Sequence, residues 1–160
     1  MTPIMHSRSE KETKNIGTNL AKELVKKSKK KSITQIILLF GDLGSGKTAF
    51  TQGFASYFGI KRVLSPTFSI IKSYKTKHES YTHLFHADLY RIKSVLELKN
   101  TDFFKDINKK GLIILIEWPN LIYRSLLQQQ KNPKNTFLIT KIYFKYGEQA
   151  NERIISYNES

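Results

Sequence analysis

The chain has 160 residues, which is enough for one domain with a hydrophobic core and too few for two ordinary ones, so we expect residues 1–160 to form a single domain. Hydrophobic residues make up 39% and aromatic residues 12% of the chain, which argues against intrinsic disorder except at the ends. Cysteine is absent, and this excludes a disulfide framework and a thiolate metal site.

The apolar and charged residues set two further limits. The longest apolar run, residues 36–40, is far shorter than the roughly 20 residues that cross a bilayer, and the start does not resemble a signal peptide. We therefore expect a cytoplasmic protein with no membrane partner. The net charge of +14 attracts polyanions such as nucleotides, RNA or anionic lipid, but the lysines are spread along the chain, so a generally lysine-rich composition explains it equally well.

The first half of the chain predicts a helix, a buried strand and a second helix. Ser9 and Glu12 have the spacing of a capping box, and apolar residues follow at helical spacing, so we expect a helix over residues 9–29. Residues 34–40 are apolar and rich in β-branched side chains, which is typical of a buried strand. A helix over residues 47–58 follows, with Gly59 at its end.

The second half predicts further strands. Residues 67–74 and 81–85 read as an antiparallel hairpin, separated by the polar residues 75–80. Short helical pieces are weakly signalled between residues 94 and 109. Residues 112–116 form a continuous apolar run that ends at Glu117, as expected of a strand buried on both faces. Two more strands are expected at residues 136–146 and 153–157.

The segment between the first strand and the second helix matches the phosphate-binding loop pattern G-x-x-x-x-G-K-[ST]. Its glycines allow backbone amides to converge on phosphate oxygens, its lysine brings a positive charge to the β and γ phosphates, and its threonine offers a hydroxyl to Mg²⁺. The sequence therefore predicts a nucleoside triphosphate and Mg²⁺ as cofactors, held by Gly41, Asp42, Leu43, Gly44, Ser45, Gly46, Lys47, Thr48 and Ala49.

Two acidic residues are candidates for the same site. Glu117 ends the buried strand, which is where phosphate-loop proteins place a carboxylate on the Mg²⁺ side, and we predict Glu117 and Thr48 as the metal-binding pair. Asp88 follows the second strand of the hairpin; it is a candidate to orient water or to tighten the metal shell, although an Asp there is more often part of a turn or a helix cap. His78, His83 and His86 make a poor zinc-ligand set, because neither cysteine nor suitably spaced carboxylates accompany them.

These motifs in this order resemble one family. The loop at residues 41–48, Ser65-Pro-Thr-Phe68, His86-Ala-Asp-Leu-Tyr-Arg-Ile92 and Glu117-Trp-Pro119 are similar to segments of the bacterial TsaE proteins, also called YjeE. The resemblance covers about residues 10–119. The combination of motifs is far more specific than the phosphate-binding loop alone.

The resemblance implies an α/β fold, a P-loop NTPase-like three-layer sandwich with a mixed sheet that combines a parallel core and antiparallel strands. It implies a slow ATPase that works with TsaD and TsaB to form threonylcarbamoyladenosine at position 37 of tRNA, with tRNA reached through that complex. Lys47 and Asp88 would be catalytic, Thr13 would lie beside the adenine, and Trp118 would belong to the site. Ser65 to Phe68 resembles a switch segment, with Thr67 as its polar participant.

The chain also departs from the family pattern. The stretch after Glu97 lacks a glycine that is common in the family, and a glycine-arginine pair near the last strands is missing, with Arg153 as its substitute. Two other functions stay open from the residues alone. One is a small nucleoside or metabolite kinase, although no arginine-rich lid is visible. The other is a basic RNA-binding module that uses nucleotide only as a structural ligand.

Overall fold

The computed structural model describes residues 3–28, 33–64, 70–99, 107 and 109–159. These residues contain seven strands and four helices, and we number each kind in chain order. The elements are β1 Ile4–Ser7, α1 Glu10–Lys27, β2 Thr34–Phe40, α2 Lys47–Tyr57, β3 Ile71–His78, β4 Tyr81–Asp88, α3 Val95–Lys99, β5 Leu112–Glu117, α4 Asn120–Gln130, β6 Phe137–Tyr146 and β7 Arg153–Glu159.

All seven strands form one sheet in the order β1-β7-β6-β2-β5-β4-β3. The four central strands β6, β2, β5 and β4 are parallel to one another. The outer strands β7, β1 and β3 run antiparallel to their neighbours. The predicted mixed sheet, with a parallel core and antiparallel additions, is confirmed.

Helices cover both faces of this sheet, because the central strands are apolar on both sides. In β2, Ile37 and Leu39 pack in the cluster that contains α1 and α2 residues, whereas Ile36 and Leu38 pack with Leu98, Ile122 and Leu126 from α3 and α4. A strand buried on both faces loses most water contact on each side and so requires two layers of helix. The predicted three-layer α/β sandwich is therefore confirmed.

Two glycines bring α1 unusually close to α2. A Cβ atom built on Gly53 would lie 1.9 Å from the backbone oxygen of Lys14, and one built on Gly17 would lie 2.4 Å from the backbone oxygen of Phe50. Neither position has room for a larger residue. The contact sets the start of α1 against the start of α2, where a Cβ on Gly46 would lie 3.4 Å from Thr13 Cγ2.

Several predicted boundaries are wrong. The sequence did not predict β1 and α4, the first helix was predicted to end two residues late at residue 29, and residues 75–80 were predicted to form a polar connection. Lys75 and Lys77 instead lie within β3, exposed and alternating with half-buried side chains, as lysines do on an edge strand. The true turn contains only Glu79 and Ser80.

Other predictions are confirmed or lie outside the described part. The strand 34–40, the helix starting at Lys47 and the buried strand ending at Glu117 appear where expected. Of the weak helical signal between residues 94 and 109, α3 is present. The switch-like segment Ser65 to Phe68, with Thr67, lies outside the described residues. Within the part of the chain that is described, no helix is long and apolar enough to cross a membrane.

Candidate functional site

A cleft of about 620 Å³ opens where β2, β4 and β5 end. Most of the predicted site residues line it, while Gly41, Asp42 and Ser45 belong to the same loop without lining the cleft. The predicted residues that line it are Thr13, Leu43, Gly44, Gly46, Lys47, Thr48, Ala49, Asp88, Glu117 and Trp118. Residues more than 100 positions apart in the chain therefore meet at one place.

The loop between β2 and α2 forms the floor of the cleft. Gly44 and Gly46 adopt φ angles of 72° and 100°, which L-residues with a side chain rarely take. Gly46 is the N-cap of α2 and carries no side chain that could bond the first-turn N–H groups, as Ser or Asp would. The helix therefore presents its positive end and these amides at the cleft, which is suited to an anion.

Lys47 brings a positive charge to this floor. Its Nζ donates to the carbonyl oxygens of Gly41 and Asp42 at 2.8 and 2.7 Å, and only 5% of the residue is exposed. Burial lowers the pKa of Lys47, although the nearby carboxylates of Glu117, Asp88 and Asp42 act in the opposite direction. A cation kept in such a poorly solvated place interacts strongly with an anionic ligand.

Two oxygen ligands face the same part of the cleft. Glu117, which is 3% exposed, is the last residue of β5, and its Oε1 lies 3.4 Å from Thr48 Oγ1 in the first turn of α2. Oxygen atoms in neighbouring positions around octahedral Mg²⁺ are about 2.9 Å apart, given metal–oxygen distances near 2.05 Å. The pair therefore fits Mg²⁺ after a small adjustment.

The two oxygen ligands, Thr48 and Glu117, also suit Mg²⁺ rather than a transition metal. The described residues contain no group of three or more His, Cys, Asp or Glu side chains that could hold a metal by themselves. Magnesium is commonly held by one or two protein oxygens together with phosphate and water. A metal at Thr48 and Glu117 would thus need water or phosphate ligands to complete its coordination.

Asp88 lies beside this pair. It is the last residue of β4 and is in register with Glu117 on the parallel neighbour β5, so the two carboxylates project from adjacent strand ends. Asp88 Oδ1 also accepts a hydrogen bond from the backbone N–H of Tyr90 at 3.0 Å, which is the turn that the sequence left open as an alternative. The structural role and a role in the cleft are compatible, since Asp88 also lines the cleft.

Trp118 adopts a strained backbone conformation next to the lysine. Its φ is 56°, a value that costs a bulky residue about 1–3 kcal/mol and persists only where surrounding contacts enforce it. Its ring lies 4.2 Å from Lys47 Nζ, and its centroid is 4.9 Å from that of Tyr90. The strain thus places an aromatic face over the buried ammonium.

The opposite side of the cleft is made by the two ends of the chain. Thr13 Oγ1 lies 2.7 Å from Ser7 Oγ and donates to the carbonyl of Ser9, so its hydroxyl is already engaged. Asn151 Nδ2 donates to the carbonyl of Arg8 at 2.9 Å and ties the turn between β6 and β7 to the start of α1. This side is therefore assembled across 143 positions of sequence.

Arg153 and Tyr146 connect this side to the loop. The guanidinium of Arg153 donates to the carbonyl of Gly44 at 3.3 and 3.4 Å and lies 4.6 Å from the centre of the Tyr146 ring. The hydroxyl of Tyr146 donates to the carbonyl of Leu43. The two residues therefore hold the middle of the loop from outside, and Arg153 lines the cleft as well.

The sequence analysis missed some residues of this site. It treated His86 only as a poor zinc ligand, yet His86 Nε2 lies 2.9 Å from Glu117 Oε1, whereas His78 packs among the rings of Tyr57, Phe58 and Tyr81. It gave no role to Tyr90. The available signal was spacing, because residues two apart on a strand share a face, and this puts His86 on the same face as Asp88.

Comparison with known proteins identifies the family. A family model described as "Threonylcarbamoyl adenosine biosynthesis protein TsaE" matches residues 7–153. The chain belongs to the TsaE family. The match also extends the resemblance beyond residue 119, where the motifs in the sequence ended.

Individual relatives agree with this assignment. The tRNA threonylcarbamoyladenosine biosynthesis protein TsaE of Rickettsia typhi is 40% identical over 121 residues, which cover 74% of this chain and 76% of that protein. The TsaE protein of Bacillus subtilis is 41% identical over 96 residues, which cover 59% of this chain and 57% of that protein. Membership of the family places this chain in threonylcarbamoyladenosine biosynthesis on tRNA.

A solved structure has the same fold. The crystal structure of Bacillus subtilis YdiB superposes with a TM-score of 0.62 at 28% sequence identity, and the alignment covers 98% of this chain and 86% of that one. The likeness supports the P-loop-like arrangement of the mixed sheet.

Proposed function

We propose that this chain binds ATP together with Mg²⁺ in the cleft and hydrolyses it slowly during the formation of threonylcarbamoyladenosine at position 37 of tRNA. The observation that carries the proposal is the meeting of Lys47, Thr48 and Glu117 at the start of α2, with Thr48 Oγ1 and Glu117 Oε1 only 3.4 Å apart. A buried ammonium, a helix start and two hard oxygen ligands together match a nucleoside triphosphate and its metal better than any other ligand class.

Each residue on the floor has a binding task. The amides of residues 41–48 and the start of α2 would surround the β phosphate, while Lys47 would exchange its carbonyl partners for phosphate oxygens. Thr48 and Glu117 would hold Mg²⁺, which supplies positive charge to the phosphates when bound.

Asp88 is the group best placed to assist hydrolysis. It lines the cleft next to Glu117, and its backbone hydrogen bond with Tyr90 keeps the carboxylate in place. A fixed carboxylate at this position would orient water, while Lys47 would stabilise the charge that develops on the transferred phosphoryl group. The nucleoside would extend toward Thr13, Asn151 and Arg153 on the opposite side.

The reaction is proposed to serve a larger assembly in the cytoplasm. Membership of the TsaE family supports TsaD and TsaB as partners, and tRNA would be reached through the complex that they form. Coupling to partners also explains why turnover by this chain alone is expected to be slow.

Calorimetry and turnover measurements test the proposal in two stages. ATP is titrated into the protein with Mg²⁺ and with EDTA, and hydrolysis is then measured with and without TsaD and TsaB. We expect tight binding that Mg²⁺ strengthens, and turnover that the partners increase. Absence of ATP binding by well-folded protein would overturn the proposal. Binding with no hydrolysis in the presence of both partners would instead support nucleotide as a structural ligand.

A further inference from the structure

A buried histidine lies behind the proposed magnesium carboxylate. His86 and Asp88 are two residues apart on β4 and share a face, and β4 runs parallel to β5, which ends at Glu117. The His86 side chain is fully buried, and its Nε2 lies 2.9 Å from Glu117 Oε1. The same oxygen lies 3.4 Å from Thr48 Oγ1, so Glu117 is contacted from the core by one residue and from the cleft by another.

The contact with the carboxylate fixes which ring nitrogen carries hydrogen. A carboxylate accepts hydrogen bonds, so His86 Nε2 must be the donor. Nδ1 is buried without a hydrogen-bond partner among the described residues, which is tolerable for a bare nitrogen and costly for an N–H group. The tautomer with hydrogen on Nε2 is therefore the one that fits this environment.

This arrangement exceeds what packing alone requires. A leucine or phenylalanine would fill the same apolar surroundings without burying a polar ring next to an acid, and a buried polar group costs free energy unless it is hydrogen-bonded. Glu117 is itself only 3% exposed and needs such a donor on its core side. The bond restricts the carboxylate to the orientation in which it faces Thr48.

We propose that His86 is a positioning residue for the metal-binding carboxylate, and this inference rests on the proposed role of Glu117 toward Mg²⁺. His86 donates through Nε2–H to Glu117 and thereby fixes the carboxylate orientation that brings it to the hydroxyl of Thr48. Groups that orient a metal ligand in this way commonly change metal affinity by about 10–100-fold when they are removed. Because His86 is fully buried and does not line the cleft, nucleotide phosphates bound there would not contact it directly.

Two amide substitutions at His86 test whether the hydrogen bond to Glu117 matters or only the polarity of the side chain. In His86→Gln the side-chain amide reaches approximately the position of imidazole Nε2, whereas in His86→Asn it reaches only that of Nδ1. Both variants are polar and similar in chemistry, and they differ mainly in their reach toward Glu117. A thermal melt of each variant, compared with that of wild type, monitors any general loss of structure.

The test measures metal binding rather than turnover. Mn²⁺ is titrated into each protein in the presence of ADP, and free Mn²⁺ is followed by electron paramagnetic resonance, while ADP affinity is measured separately in EDTA. We expect His86→Asn to weaken Mn²⁺ binding by about tenfold, at the low end of the usual range, and His86→Gln to stay near wild type. ADP affinity in EDTA should be the same in all three proteins.

The outcomes distinguish this inference from the proposed function. If wild-type protein binds neither Mn²⁺ with ADP nor ATP with Mg²⁺, the proposed function is wrong. If wild type binds and His86→Asn binds Mn²⁺ equally well, His86 does not position the carboxylate. Equal losses in the Asn and Gln variants, with melts like that of wild type, also overturn the inference. If His86→Asn does not fold, normal Mn²⁺ binding by a folded His86→Leu overturns it instead.

Discussion

The two sides of the cleft are built on different principles. On the strand-end wall, made by Lys47, Thr48, Asp88, Glu117 and Trp118, charged side chains project from the ends of buried strands and from the start of α2. On the terminal wall, made by residues 9–13 and 151–153, side chains mostly bond backbone groups and hold distant segments together. The reactive side chains thus lie mainly on the strand-end wall, whereas the terminal wall mainly determines the shape of the cleft.

This difference implies that substitutions on the two walls should impair different properties of the protein. A change of charge on the strand-end wall leaves the parallel core intact and removes binding or turnover. A change on the terminal wall alters the position of a segment and acts on affinity and stability together. Four substitutions, taken from the largest expected effect to the smallest, test this contrast.

Lys47→Met should give the largest loss. It keeps most of the length of the side chain and removes charge-assisted hydrogen bonds that are each worth about 1.5–3 kcal/mol, so ATP binding should weaken by about 100-fold. Burial lowers the pKa of Lys47, which means that the folded state disfavours the charged form relative to the unfolded state. Methionine removes this burial cost but also leaves the carbonyl oxygens of Gly41 and Asp42 without their donor, so the melting temperature should change little. Calorimetry and a thermal melt check both results.

The combination of results is what tests the strand-end wall. A Lys47→Met protein that binds ATP like wild type contradicts the assignment of the loop. A protein that loses binding and also melts much earlier shows that Lys47 is chiefly structural, and this would remove the contrast between the walls.

Asp88→Asn should affect turnover while sparing binding. In the wild-type protein the backbone N of Tyr90 lies 3.0 Å from Asp88 Oδ1 and donates to it. The asparagine oxygen can still accept this hydrogen bond, so the turn is preserved while the negative charge is lost. Hydrolysis in the presence of the partners should fall by about 100-fold, and ATP affinity should change little. Glu79→Gln, an exposed acid in the turn between β3 and β4, is the matched control and should leave both values unchanged. Equal turnover in the Asp88 and Glu79 variants would contradict the role of Asp88.

The fold and the strand-end wall were largely predictable because their signals are local. The strand and helix on either side of the loop are each encoded by consecutive residues, and Glu117 ends a continuous apolar run that is typical of a buried strand. Carboxyl ends of parallel strands meet at one edge of a sheet, so Asp88 and Glu117 could be expected near Lys47.

The terminal wall could not be predicted in the same way. β1 has only four residues and exists by pairing with β7, near the other end of the chain, so no periodic pattern reveals it. α4 lies outside this wall and was missed for another reason: it buries only Ile122 and Leu126 within a polar, glutamine-rich segment, which weakens the helical signal. The bond between Asn151 and Arg8 joins two loops that have no motif of their own. Such contacts follow from tertiary packing and are absent from any short window of sequence.

Gly53→Ala tests whether close helix packing sets the terminal wall. An alanine in a helix interior normally stabilises by up to about 1 kcal/mol relative to glycine, but here its Cβ would lie 1.9 Å from the backbone oxygen of Lys14. We expect a loss of about 1–3 kcal/mol in unfolding free energy, measured by denaturant titration, because α1 must move away. ADP affinity should fall as well, since Thr13 would shift from Gly46. Asn15→Ala, at an exposed position of α1, is the control and should be neutral or slightly stabilising.

Tyr146→Phe should give the smallest effect. It tests whether the hydroxyl that holds the loop, or β6 as a whole, contributes to ATP affinity. The substitution removes only the hydroxyl that donates to the carbonyl of Leu43 and keeps the ring beneath Arg153. One neutral hydrogen bond is worth about 1 kcal/mol, so ATP affinity should fall by about fivefold, as measured by calorimetry. Tyr143→Phe is the matched control on the same strand, because its ring stacks on Phe40, the last residue of β2, at 5.1 Å. If both variants lose affinity equally, the effect comes from β6 as a whole and not from the hydroxyl that holds the loop.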